Sequence, residues 1–128
     1  MKSLLNLKGF EKYLEKVARA GDDIDEVCGE ALTAGGQILE AGMLRRAPEL
    51  TGELKSHIKM SPVQRDGNRS FVKVGVYDVD RATETYFFYQ EMGTASTAAH
   101  PYIRPTFDED MRRARAEMVS VFKARGAL

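Results

Sequence analysis

The sequence predicts an α+β domain: two long helices packed on a small, mainly antiparallel sheet, with a short helix near the N-terminus. Three observations carry that prediction. From Ile24 to Met43, apolar residues recur at a spacing of about 3.6 residues without a slip. Between Ser70 and Tyr77, Val72, Val74 and Val76 alternate with Phe71, Lys73 and Gly75, the pattern of a half-buried antiparallel strand. From Phe107 to Phe122 a second helical stripe follows. At 128 residues the chain fits one domain, 1–128, long enough to bury a core without disulfides or metal.

Taken in order, Leu4 to Leu7 reads as a short edge strand that Gly9 breaks. Phe10, Leu14 and Val17 give a first helix ending near Ala20, closed by Gly21, with Asp22 as the expected N-cap of the next. The second helix carries Ile24, Val27, Cys28, Ala31, Leu32, Gly35, Ile38, Leu39, Gly42 and Met43 on one stripe. Asp25, Glu26, Glu30, Gln37 and Glu40 fall off it. Gly35 and Gly42 each cost about 1 kcal/mol against alanine in a helix interior. A close backbone approach is the expected compensation, and the domain's own sheet the expected neighbour. Arg45 and Arg46 suit the negative end of the helix dipole, and Pro48 stops the helix.

Thr51 is placed to cap a short helical turn with Leu54 as its inward anchor. Ser56 to Pro62 reads as extended, Arg65-Asp66-Gly67-Asn68 as a turn, and Asp78 to Thr85 as a polar loop. Tyr86 to Met92 fits either a strand buried on both faces or about two turns of helix. Glu91 stands inside that apolar run, so if buried it needs a partner, and Arg104 is the expected one through an ion pair. For the last helix, Thr106 and Glu109 have capping-box spacing. Asp108, Glu109 and Asp110 crowd the positive end of the dipole, and Gly126 closes the helix. Phe107, Met111, Ala114, Met118, Val121 and Phe122 form its apolar stripe.

Nineteen basic against 19 acidic residues give a formal net charge of +0, which removes the general electrostatic argument for nucleic-acid binding. The alternative reading, a small nucleic-acid-binding module, would use Arg112, Arg113 and Arg115 with Lys123 and Arg125 on the last helix. Acids interleave with these, the pattern of a solvated face. The single cysteine, Cys28, has no disulfide partner within the chain and lies on an apolar helical stripe, where a thiol is core. No apolar run approaches the ~20 residues that a membrane-spanning helix needs. Asn6 and Lys8 interrupt the N-terminal apolar run, so no secretion signal is expected and a reducing cytoplasm is the expected site of synthesis. His57 and His100 are far apart in sequence, and neither a metal-ligand spacing, a nucleophile elbow nor a phosphate-cradling glycine loop is present. The residues therefore predict no catalytic group, no metal and no cofactor, and not an enzyme.

What remains distinctive is the stretch from Thr83 to Thr106. Tyr86, Phe87, Phe88 and Tyr89 form a cluster that must be covered by this domain's core or by another subunit. Gly93 then permits a turn, and Thr94 to Ala99 are small residues with nothing large enough to anchor them. A packed element followed by a mobile arm suits assembly better than catalysis.

Two motifs carry a family resemblance. Ala47-Pro48-x-x-Thr51-Gly52-x-Leu54-Lys55-x-x-Ile58 resembles a segment of the phage morphogenesis proteins typified by gene product ten of the HK-ninety-seven phage. Tyr86-x-x-Tyr89-x-Glu91-x-Gly93-Thr94, followed by Pro101-Tyr102-Ile103-Arg104-Pro105, is similar to that family's second signature. The chain departs from it at Met92, where the family often has an aliphatic residue or phenylalanine. The resemblance implies a virion protein related in role to minor tail protein Z. It would be a ring-forming homo-oligomer that completes the tail or joins it to the head, with tail-tube and head-connector proteins as partners. The assembly motif would then comprise Pro48, Thr51, Gly52, Leu54, Tyr86, Tyr89, Glu91, Gly93, Thr94, Pro101, Tyr102, Arg104 and Pro105.

Overall fold

A computed structural model describes residues 2–21, 23–48, 53–67 and 69–125. Its elements run β1 (Lys2–Asn6), α1 (Glu11–Arg19), α2 (Ile24–Arg46), α3 (Glu53–His57), β2 (Lys59–Met60), β3 (Gln64–Asp66), β4 (Arg69–Gly75), α4 (Arg81–Met92) and α5 (Ile103–Ala124). The α+β class, the short first helix and the two long ones agree with the sequence.

β4 is the centre of a four-stranded antiparallel sheet, with β1 on one side and β2 and β3 in succession on the other. Its register sets Leu5 opposite Val72 and Met60 opposite Val74, so these side chains share the inner face. Between β2 and β3, Ser61 keeps contact with β4: its N–H donates to the Lys73 carbonyl and its Oγ accepts the Lys73 N–H, both at 2.8 Å. That pair of bonds bridges the interruption at Pro62, which has no N–H to give.

The hairpin from β3 to β4 is tighter than the sequence suggested. Arg65 and Asp66 belong to the strand, and Gly67 turns the chain at φ 62°. Ser56 and His57 lie in α3 rather than in an extended segment.

α2 lies between the sheet and α5, which is why apolar residues reach round two of its faces. The expected approach of its glycines to the sheet needs correction. Gly42 faces α5, where a Cβ would overlap Asp110 Oδ2 and stand 3.0 Å from Thr106 Cγ2. Gly35 sits at the junction, 2.9 Å from Leu5 and 2.8 Å from Met118 by the same measure. On the sheet side the close glycine is Gly36, off the predicted stripe, against Met60 and Val72. The N-cap is Asp23, whose Oδ1 accepts the N–H of Asp25 at 3.0 Å and of Glu26 at 3.4 Å; Asp22 lies outside the described residues.

The ends of the helical layer are fastened differently. At one end Phe10 and Tyr13 pack their rings on Phe122, at 5.5 and 6.0 Å, and Arg125 pairs with Glu26 and Glu30. At the other, Arg46 holds Asp110 at 2.7 Å and Glu109 at 2.8 Å, and Arg45 reaches Asp110 at 3.0 Å. Asp108, Glu109 and Asp110, read from sequence as dipole partners, lie beyond the first turn of α5, and Glu109 and Asp110 bind the arginines that end α2.

Candidate assembly surface

Leaving β4, the chain turns through Gly75 at φ 130° and Asp78 at φ 53° before Asp80 starts α4. The Asp80 carboxylate accepts the Thr83 N–H at 2.7 Å, and the hydrogen bonds from Thr83 hold its pKa below the usual carboxylate value. The predicted loop over Asp78 to Thr85 is thus shorter, because Arg81 to Thr85 form the polar first turn of a helix. Tyr86 to Met92 completes that helix, which resolves the strand-or-helix alternative.

α4 divides into an inner and an outer face. Phe87 and Glu91, one turn apart, are buried, and the Phe87 ring lies 5.4 Å from the His57 ring at the end of α3. The outer face leaves Tyr86, Phe88, Tyr89 and Met92 between 44% and 49% exposed. Shallow grooves run along it, one lined by Arg81, Glu84, Thr85 and Phe88, another by Ala82, Thr83, Tyr86 and Phe87. The aromatic cluster is therefore split: one ring for this core, three rings and a thioether for solvent or a partner.

Glu91 is where the structure departs most from the expected ion pair. Its carboxylate accepts the backbone N–H of Tyr102 at 2.7 Å, Ile103 at 3.0 Å and Arg104 at 2.9 Å. Among the described residues no ion pair joins Glu91 to the Arg104 guanidinium, and Arg104 is exposed. A helix leaves its first four N–H groups without intrahelical acceptors. In α5 three of those positions bond to Glu91, and the fourth is Pro105, which has no N–H. A buried negative charge at a helix N-terminus is also favoured by the dipole. The expected capping box is not formed: Thr106 lies inside the first turn and donates its hydroxyl to the Tyr102 carbonyl at 2.6 Å.

Between α4 and α5 the chain closes on itself. The Gly93 N–H donates to the Tyr89 carbonyl and the His100 N–H to the Gln90 carbonyl, each at 2.7 Å. Gly93 has φ 77°, and a Cβ there would stand 2.9 Å from the Ala99 nitrogen, so both conformation and space require glycine. Thr94 Oγ1 accepts the N–H of Ser96 at 3.3 Å and of Thr97 at 3.0 Å, while the Thr94 N–H donates to the Thr97 carbonyl. The Thr94–Ala99 segment, expected as an arm, is exposed throughout and turned on itself by these bonds.

The motif residues thus sort by burial. Leu54, Glu91 and Tyr102 are interior, and Pro101 and Pro105 half-buried. Tyr86, Tyr89, Thr94 and Arg104 are exposed. Pro48 is half-buried just after α2, whereas Thr51 and Gly52 lie outside the described residues. Burial pushes the Tyr102 phenol pKa up, with the Glu91 charge adding to the effect, and its hydroxyl has no hydrogen-bond partner among the described residues. Phe88 and Met92, on the outer face beside the motif tyrosines, were not singled out as site residues. Helical spacing from Phe87 would have found both once the helix was known.

Residues 8–93 match the protein family described as "Bacteriophage HK97-gp10, putative tail-component". The chain belongs to this family. The HK97-gp10 match spans α1 to the end of α4, taking in the segment from Pro48 to Leu54 and ending at Gly93. Thr94, Pro101, Tyr102, Arg104 and Pro105 follow it, held to the matched part by Glu91 and Gln90. Comparison with curated proteins and with solved structures finds no match. That family description is consistent with a structural role in phage assembly. Among the described residues no helix is long and apolar enough to cross a membrane.

Proposed function

We propose that this protein is a non-enzymatic adaptor that assembles into a ring in the virion, completing the tail tube or joining it to the head connector. The outer face of α4 is one half of the contact between neighbouring copies. The observation that carries this reading is the split of α4: Phe87 and Glu91 are sealed, and Tyr86, Phe88, Tyr89 and Met92 on the same helix stand about half exposed. A ring of identical subunits needs a heterologous contact that closes by rotation, so each copy must present a surface that its own fold leaves open. Four large apolar side chains with about half their surface free would each contribute on the order of 1 kcal/mol when covered. The neutral loop from Thr94 to Ala99 follows α4 directly and is exposed.

Electron microscopy of particles produced without this protein tests the role. Filled heads beside separate tails support a joining function, and tails of irregular length support a terminating one. Particles indistinguishable from the wild type would overturn both.

A further inference from the structure

The chain's charges balance, but they are not evenly neutralised. Arg45 and Arg46 are engaged with α5, Arg65 with Asp25, and Arg125 with Glu26 and Glu30. Arg115 donates to the Lys8 carbonyl and lies 4.9 Å over the Phe10 ring. The sheet face opposite the valines is different. Strand register places Lys59, Lys73, Phe71 and Arg69 on that outer face. Lys59 Nζ stands 4.6 Å and Lys73 Nζ 5.5 Å from the centroid of the Tyr77 ring. One aromatic ring thus gathers two ammonium groups. Neither has a carboxylate within ion-pair distance among the described residues. Further along the face Arg69 lies 5.2 Å over Phe71, with Asp66 beside it at 3.7 Å. Burial raises the Tyr77 phenol pKa and the charges of Asp78 and Glu40 add to it, but among the described residues neither carboxylate pairs with either lysine.

We propose that this outer sheet face, centred on Lys59 and Lys73 over Tyr77, binds the phosphate backbone of double-stranded nucleic acid without reading its sequence. Charge complementarity decides the occupant. A duplex presents a dense, regular line of phosphates. Two lysine ammonium groups without carboxylate partners, held as point charges on one side of the sheet, are complementary to such a line. The inference does not depend on α4 or on ring formation, and it moves nucleic-acid contact from the last helix to the sheet.

The test is fluorescence anisotropy of the full chain with a labelled duplex of random sequence, titrated with salt. Three variants accompany the wild type: Lys59→Gln/Lys73→Gln, Lys59→Arg/Lys73→Arg and Arg112→Gln/Arg113→Gln. Thermal unfolding of each confirms its fold. Wild type should bind at low salt, and the glutamine pair on the sheet should lose at least tenfold, with the log–log salt slope reduced by about 2 for two lost phosphate contacts. The arginine pair, which keeps both charges if the glutamine pair fails to fold, should bind like wild type, as should the variant on α5. The proposal is overturned if wild type does not bind, if the folded arginine pair does not bind, or if the α5 variant loses as much as the sheet variant. Equal competition by poly-glutamate would also overturn it, making an acidic protein surface the occupant.

Discussion

The Glu91 carboxylate receives the Tyr102 N–H at 2.7 Å, and with it the first turn of α5. One side chain, eleven positions upstream, caps a helix whose own N-cap residue, Tyr102, has no side chain suited to the task. Glu91→Ala leaves three N–H groups without their acceptor and should cost about 3 kcal/mol in urea unfolding. Glu91→Gln keeps an acceptor but not the charge and should cost about 1 kcal/mol. Arg104→Met should stay within about 0.5 kcal/mol of wild type, since only its backbone takes part. A larger loss from Arg104→Met than from Glu91→Gln would restore the ion pair that the sequence suggested.

Asp110 links stability to pH. The Arg46 hydrogen bond, reinforced by the charges of Arg46, Arg45 and Arg113, holds its carboxyl below the ordinary value. A lowered folded pKa contributes stability that is present above the unfolded value of about 3.9 and lost as pH falls through the folded one. Asp110→Asn should therefore destabilise the protein at neutral pH and flatten the loss of stability below about pH 4, measured by urea midpoints across that range. Gly42→Ala should act on the same cluster. Its Cβ would overlap Asp110 Oδ2, so despite better helix propensity it should cost about 1–3 kcal/mol.

Tyr102 separates packing from hydrogen bonding. Its ring is fully buried and its hydroxyl has no partner among the described residues. Tyr102→Phe should be neutral or slightly stabilising, because it removes a buried polar group that gains nothing from the fold. Tyr102→Ala should cost about 3–5 kcal/mol through the cavity it leaves. Thermal or urea unfolding of the pair checks this, and a loss above about 1 kcal/mol in the phenylalanine variant would show that the hydroxyl is satisfied.

Where one physical rule governed, the fold was legible in the sequence. Period alone marked α2 and α5, and alternation alone marked β4, because apolar residues recur along each at the spacing of its own backbone. α4 was hidden because Arg81 to Thr85 are polar and the aromatic run satisfies helix and strand patterns equally. The role of Glu91 was half legible: a carboxylate inside an apolar run signals a buried acceptor, but nothing local says that its donors are backbone N–H groups. Gly36 was missed because one stripe was assigned to a helix that buries two faces.

Phe88 decides between a surface that is merely tolerated and one that is used. Phe88→Ser with Tyr89→Ser should leave monomer stability within about 1 kcal/mol of wild type, as both side chains are about half exposed. The most direct measurement places a photo-cross-linking phenylalanine analogue at position 88 and irradiates assembled particles. The account predicts an adduct between two copies of this chain, whereas the same analogue at buried position 87 links only within its own copy. No adduct at position 88 in particles that assemble normally, or one confined to the same chain, would contradict the assignment of the α4 outer face to assembly.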